Sequence, residues 1–355
     1  MFGAGGDRPA TRDTQRRLVP GALGLLLACC VPVPGAAGEP EPAADRIRLT
    51  ILGTGAPRPS EQRSGPSILV EAGRHRFLVD AGPGTREQMF RAGGWELITG
   101  LDTILVTHLH YDHTIEIPDL GLTGFMYGRR TPLRVYGPEG IGEMCRHFEA
   151  AFQWDKDMRR LVGVNMTGSD IVAHEIRPGV FFEEDGLTIT AFEVEHMPID
   201  VETGERLEFY GQTLGYRVDY RGRSVVFSGD SRSTPASELL RHGKGVDVLI
   251  HEVQVPSPGD SREARLANIS LSVHSTPAQA GYVFEHTRPR LAVYSHIIPP
   301  ETTAAQLAEA TRPHYRGPLT TAEDLMVITV GDEIAVERDS RRGTHVFEQS
   351  KVVTD

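Results

Sequence analysis

Between residues 47 and 294 the chain is built from short apolar runs rich in Val, Ile and Leu, most of them bounded by Gly, Pro or Asp. Runs of that length with such borders are strand signals. They fall at Ile47–Leu52, Ser67–Glu71, Arg76–Val79, Thr103–Val106, Leu133–Tyr136, Leu187–Val194, Leu214–Tyr220, Ser224–Phe227, Val246–Ile250 and Leu291–Tyr294. The first three follow one another closely, as in antiparallel hairpins. Arg217–Val225 reads as a hairpin turning at Gly222. Helical patterns occur at Gly84–Arg91, Ile141–Phe152, Pro235–Arg241, Pro277–His286 and Thr303–Thr311, several opening on Ser, Thr or Pro near the cap. Groups of strands with helices between and after them predict an α/β fold of two packed sheets covered by helices. Residues 155–186 lack clear periodicity and are expected to form a long excursion near the site.

Polar residues recur where the apolar runs end. Asp80, His196, Asp230, His251 with Glu252, and His296 each close a predicted strand. A lone case is ordinarily a turn residue, but the repetition points to a site on one common sheet edge. The densest case is His108-Leu-His110-Tyr-Asp112-His113, directly after the run Asp102–Thr107. Imidazole nitrogen and carboxylate oxygen suit borderline cations such as zinc. The loop can turn His108 and His110 to one metal and Asp112 and His113 to a second. A pair of cations so held can generate a hydroxide and clamp a phosphoryl or carbonyl oxygen.

Composition narrows the chemistry. The 355 residues are 39% hydrophobic and 24% charged, enough for a sizeable core. Only Cys29, Cys30 and Cys145 occur, which excludes a disulfide framework and a four-cysteine zinc site. At the N-terminus, Arg16-Arg17 precede an apolar run from Leu18 to Val33 and the small residues Pro34–Gly38. This is the pattern of an export signal over residues 1–37. The run is too short and too interrupted for a comfortable transmembrane helix, so the mature chain is expected to have none. The arginine pair is similar to a twin-arginine signal, and Leu26-Leu27-Ala28-Cys29 to a lipobox, so a periplasmic or secreted protein, with lipid anchoring through Cys29 as an option, is expected. Residues 38–46 read as a polar Pro-rich linker, 47–340 as the folded domain and 341–355 as a tail. Loss of residues 1–37 removes four arginines and two aspartates and takes the net charge from −11 to −13. Such a surface repels nucleic acid at long range.

The ordered set His108-Leu-His110-Tyr-Asp112-His113, His196, Asp230 in Ser-Gly-Asp-Ser-Arg and His296 resembles the metal motifs of the metallo-β-lactamase superfamily. Leu52-Gly53-Thr54-Gly55-Ala56-Pro57 and the Asp80-Ala-Gly82 loop fit as well. Leu249-Ile250-His251-Glu252 and His274-Ser275-Thr276 make the chain most similar to the ribonuclease Z branch and its arylsulfatase-like and phosphodiesterase relatives. The resemblance implies an αββα sandwich of two mixed β-sheets flanked by helices. It implies two Zn2+ ions, with Mn2+ or Fe2+ as alternatives. His108, His110 and His196 would bind the first, Asp112, His113 and His296 the second, and Asp230 would bridge. Asp112 would also orient the attacking hydroxide, His274 would protonate the leaving oxygen or stabilise the oxyanion, Glu252 would steer His274, and Arg232 would pair with an anionic substrate group. His251 is expected to have a structural role.

Two features depart from that branch. Thr114 follows His113 where a glycine is usual, and no long basic, glycine-rich arm for gripping tRNA is evident. The expectation is therefore an exported binuclear hydrolase that cleaves a small phosphodiester or related anionic ester with a metal-bound hydroxide. The alternatives are tRNA 3′-processing, an arylsulfatase, or a lactone or lactam hydrolase. A metal-binding protein without turnover is disfavoured, because a binder has no need of Asp112 and His274. Nucleic acid is an admissible but not favoured partner, and a homodimer is compatible with the sequence.

Overall fold

The computed structural model describes residues 45–196, 212–259, 261–338 and 344–346. The expected export signal, residues 1–37, and most of the expected linker, residues 38–46, lie outside the described residues. In chain order the first half comprises β1 (Ile47–Gly53), β2 (Ser67–Ala72), β3 (His75–Val79), α1 (Thr85–Gly100), β4 (Thr103–Leu105), α2 (Tyr111–Thr114), α3 (Ile117–Tyr127), β5 (Leu133–Gly137), α4 (Ile141–Ala151), α5 (Gln153–Leu161) and β6 (Ile171–Glu175). Then come β7 (Gly179–Glu184), β8 (Leu187–Val194), β9 (Thr213–Tyr220), β10 (Arg223–Phe227), α6 (Glu238–His242), β11 (Val248–Gln254), α7 (Arg262–Ile269), α8 (Pro277–Thr287), β12 (Leu291–Ile298), α9 (Ala304–Thr311), β13 (Leu319–Thr321), β14 (Met326–Val330), β15 (Ile334–Glu337) and β16 (Thr344–Val346).

The strands form two mixed sheets. One has the order β16-β15-β14-β1-β2-β3-β4-β5-β6 and the other β13-β12-β11-β10-β9-β8-β7. Because strand side chains alternate in direction, each strand divides its apolar residues between layers. Leu49, Ile51, Ile68, Val70, Phe77 and Val79 point between the sheets, where they meet Ile189, Tyr216, Val218, Val225, Phe227 and Ile250. Leu52, Leu69, Leu78 and Ile104 face outward onto Met89 of α1 and Leu120 of α3. Val226, Leu249 and Ala292 face outward onto Val283 and Phe284 of α8 and Leu307 of α9. This is the expected αββα sandwich. Reciprocal capping boxes, Thr276 with Gln279 and Thr303 with Gln306, start α8 and α9.

Residues 155–186 are not an excursion at the site. They complete α5 and supply β6 and β7, the outermost strands at one end of each sheet, and β6 and β7 are largely half-buried or exposed, which removes the buried alternation a strand usually shows. The sheet also continues past residue 340, since Thr344–Val346 pairs antiparallel with β15.

β1, β3, β4, β5 and β6 all run in one direction, as their pairings show. Their C-terminal ends therefore define one end of the sandwich and their N-terminal ends the other. β10, β11 and β12 are mutually parallel.

Candidate metal centre

The functional side chains collect at strand C-terminal ends. The loop after β4 carries His108 and His110, and the one-turn α2 carries Asp112 and His113. His196 follows β8, Asp230 follows β10, and His296 lies within β12. His108, His110, His196 and Asp230 form one group of donor atoms, and Asp112, His113 and His296 a second; within each group all donors lie within 4.8 Å of one another. Asp230 Oδ2 stands between them, 3.8 Å from His108 Nε2, 3.9 Å from His196 Nε2, 3.4 Å from His113 Nε2 and 3.3 Å from His296 Nε2. Asp112 Oδ2 is 3.6 Å from His113 Nε2 and 3.5 Å from His296 Nε2.

Local backbone makes these placements. Asp80 and His296 both adopt positive φ, 61° and 46°, a left-handed conformation uncommon outside glycine that collects at functional sites. Gly229, at φ 58°, turns the chain into Asp230 where a Cβ would stand 2.8 Å from the Leu214 carbonyl oxygen. Asp80 ties the first loop together. Thr107 N–H donates to its Oδ1 at 2.8 Å, the Thr107 hydroxyl donates to Oδ2 at 2.9 Å, and His113 Nδ1 lies 2.9 Å from Oδ2. That contact fixes the His113 ring with Nε2 toward the donor cluster. The Thr114 hydroxyl donates to the His110 carbonyl at 3.0 Å, so this departure from the usual glycine closes the turn.

The donor set fits a cation. Asp112 Oδ2, His113 Nε2, Asp230 Oδ1 and His296 Nε2 are buried and have no hydrogen-bond partner among the described residues, a costly arrangement for polar atoms that a cation relieves. Protonation favours the same role. Burial, and then the neighbouring imidazole of His113, push the His108 pKa well below its ordinary value. Burial lowers that of His196 to about 4. Burial opposes charge on Asp230, but His296 and His113 hold its carboxyl well below the usual range. Neutral imidazoles and ionised carboxylates are the forms that bind metal. His113 differs: burial disfavours its charge, yet Asp230 and Asp80 raise its pKa well above the ordinary value, so a metal must displace a proton there.

His274 and Glu252 meet beside this set. His274 Nδ1 is 3.4 Å from Glu252 Oε1 and 4.0 Å from Asp230 Oδ2. With Asp230 and His296 it makes a third group of donors within reach of one ion. Burial lowers its pKa, but Glu252 and then Asp230 outweigh that and raise it to about 9, which suits a proton donor better than a ligand. Glu252 Oε1 also accepts the backbone N–H of Ser231 at 3.2 Å and of Ser275 at 2.9 Å, the residues next to Asp230 and His274. The Ser275 hydroxyl donates to the Ser231 carbonyl at 2.6 Å and accepts Ser233 N–H at 2.8 Å. His251 is fully buried, with Nδ1 2.6 Å from the Glu252 carbonyl and Nε2 2.9 Å from the Ser233 hydroxyl, the structural place expected for it. Arg232 is half-buried, and its guanidinium has no hydrogen-bond or ion-pair partner among the described residues. Sequence reasoning assigned no role to Thr107, Ser231 or Ser275; only the position of Asp80 at a strand end gave a signal for the first.

A family model described as "Beta-lactamase superfamily domain" matches residues 75–297. Ribonuclease Z of Mycobacterium sp. (strain KMS) is 32% identical over 257 residues, covering 72% of this chain and 85% of that protein. Ribonuclease Z of Mycobacterium bovis (strain BCG / Pasteur 1173P2) is 31% identical over 264 residues, 71% of this chain and 86% of its own. Human tRNase Z, short form, shares the fold with a TM-score of 0.56, at 23% identity over 80% of this chain and 99% of that one. The chain belongs to the metallo-β-lactamase superfamily and, within it, to the branch of the ribonuclease Z proteins. It is a metal-dependent hydrolase whose His and Asp cluster suits a divalent cation, typically zinc.

Proposed function

We propose that the chain is a binuclear zinc hydrolase that cleaves a phosphodiester, exported and acting outside the cytoplasm. The observation that carries the binuclear reading is Asp230 Oδ2, shared between two imidazole groups at 3.3–3.9 Å. His108, His110 and His196 would hold one cation, Asp112, His113 and His296 the other, with Asp230 between them. Such cations would supply Lewis-acid polarisation of a phosphoryl oxygen and activation of water at neutral pH. Asp112 would orient the water. His274 presents Nδ1 to Glu252, which leaves Nε2 to protonate the leaving oxygen. Arg232, on the loop after Asp230 and with a guanidinium that has no partner among the described residues, pairs with the anionic substrate.

Turnover of bis-p-nitrophenyl phosphate, an aryl sulfate and nitrocefin on one metal-replete preparation tests this. Hydrolysis of the diester alone is expected, and its absence beside turnover of either rival overturns the reading. Metal analysis by mass spectrometry should return two zinc ions per chain rather than manganese or iron. A second reading, cleavage of a tRNA precursor, is favoured by the relatives called Ribonuclease Z. The net charge of −11 opposes it. A higher kcat/KM for a 3′-extended tRNA than for the diester establishes it. The export part rests on Arg16-Arg17 and the run from Leu18. Cell fractionation should find a shortened chain outside the cytoplasm, and a full-length cytoplasmic product removes that part.

A further inference from the structure

We propose that Ser275 is a positioning residue for substrate binding: its hydroxyl grips the main chain on both sides of Arg232 and so fixes where that guanidinium meets the anionic group of the substrate. This role rests on the pairing of Arg232 with substrate given above.

Ser275 stands between His274 and the capping box that opens α8. It is fully buried and is held by β11 through its main chain. Its N–H donates to Glu252 Oε1 at 2.9 Å, and its carbonyl accepts Gln254 N–H at 2.8 Å. Those two bonds use backbone atoms and survive a change of side chain. The hydroxyl adds what the backbone cannot. It donates to the Ser231 carbonyl at 2.6 Å and accepts Ser233 N–H at 2.8 Å. One oxygen, fixed by β11, thereby spans the two neighbours of Arg232. Among the described residues no other side-chain atom reaches both of them.

The loop is tied down further from within the site. Ser231 N–H donates to Glu252 Oε1 at 3.2 Å, and Arg232 N–H donates to the Glu195 carbonyl at 2.6 Å. The three N–H groups of residues 231–233 therefore end on three segments that carry site residues: Glu195 precedes His196, Glu252 faces His274, and Ser275 follows it. Ser231 and Ser233 are buried, whereas Arg232 between them is only half-buried and its guanidinium has no partner among the described residues. Freezing a long side chain on binding costs conformational entropy. A backbone already fixed on both sides of the arginine removes part of that cost before substrate arrives, which is preorganisation.

Ser275→Ala removes the two hydroxyl contacts and leaves the bonds to Glu252 and Gln254, so it tests the role directly. Kinetic constants are measured on the metal-replete full chain with whichever of bis-p-nitrophenyl phosphate, p-nitrophenyl sulfate and nitrocefin it turns over. All three are anions, so the diester reading can fail without removing the test. Arg232→Ala should raise KM about 10- to 100-fold, the worth of a hydrogen bond to a charged group. Ser275→Ala should raise KM severalfold, by less than Arg232→Ala does, and mainly in KM, because a fixed charge binds ground state and transition state alike. In the Arg232→Ala background the serine substitution should change KM by less than about twofold, whereas independent losses multiply. Hydrogen exchange gives a readout without turnover. The Ser233 amide should exchange roughly 5- to 100-fold faster in Ser275→Ala, the consequence of a buried donor losing its acceptor, with metal content unchanged.

An unchanged KM in Ser275→Ala beside a raised KM in Arg232→Ala overturns the positioning role and leaves the pairing of Arg232 standing. Unchanged KM in both variants overturns both. Losses that multiply in the double variant, or metal lost from Ser275→Ala, make Ser275 a residue that holds the fold of the centre and overturn its action through Arg232. Unchanged exchange at Ser233 overturns it whichever substrate is turned over.

Discussion

The Asp80→Asn substitution isolates the residue that aims His113. Asp80 Oδ2 sits 2.9 Å from His113 Nδ1, while Oδ1 accepts Thr107 N–H at 2.8 Å. Asparagine keeps the carbonyl for Thr107 and tolerates the positive φ of 61°. It replaces Oδ2 by an amide that donates, so two donors face each other unless His113 moves its proton to Nε2, the nitrogen needed for metal. Partners of metal-bound imidazoles are worth about 10- to 100-fold in metal affinity, or about 1.4–2.8 kcal/mol. The expected result is that loss for the ion that Asp112, His113 and His296 would hold, together with a lower metal-free melting temperature, since the buried Thr107 hydroxyl and His113 also lose Oδ2. Competition with a chromogenic chelator measures the two ions in turn. Wild-type affinity for both ions refutes the role given to Asp80, and a fall in metal-free stability with unchanged affinity makes it a folding residue only.

Asp230→Ala should lose both metals and activity together, and full metal occupancy in that variant disproves the bridge. His274→Ala should keep its metals and lose roughly 10²- to 10⁴-fold in turnover, with a smaller loss for p-nitrophenolate, which hardly needs a proton; equal losses for good and poor leaving groups rule out the acid role. The His274 pKa, raised to about 9 chiefly by Glu252 against burial, keeps the ring protonated at neutral pH. Turnover of substrates with poor leaving groups should therefore hold below that value and fall as pH rises through it. Glu252→Gln should move this alkaline limb to lower pH; an unmoved limb separates Glu252 from the proton.

The candidate metal donors stand out in the sequence because chemistry demands particular side chains: three histidines and an aspartate in six residues have few other uses, and each remaining candidate closes an apolar run. The layers followed from strand alternation. What escaped was carried by backbone or by exposure. Ser231 and Ser275 serve Glu252 through main-chain N–H groups, which any residue other than proline has, so their identity gives no signal. α3 is interrupted by Gly121 and Gly124 and opens with Pro118, residues that depress a helical reading although the helix packs Ile117 and Leu120 fully. β6 and β7 hide for the opposite reason, since edge strands lack a buried face to mark them.

The metal centre draws from both sheets: His108 to His113 come from the loop beyond β4, whereas His196, Asp230 and His296 come from β8, β10 and β12. An unfolded chain cannot present both sets at once, so a cation that needs donors from both would bind the assembled sandwich alone. Ligands of that kind add RT ln(1 + [L]/Kd) to stability, about 2.7 kcal/mol at a hundredfold excess over Kd. Metal supply then becomes a control on abundance as well as on catalysis. Where such a cation is scarce, more of the chain would be open to proteases, and chelation should lower its melting temperature as well as its rate.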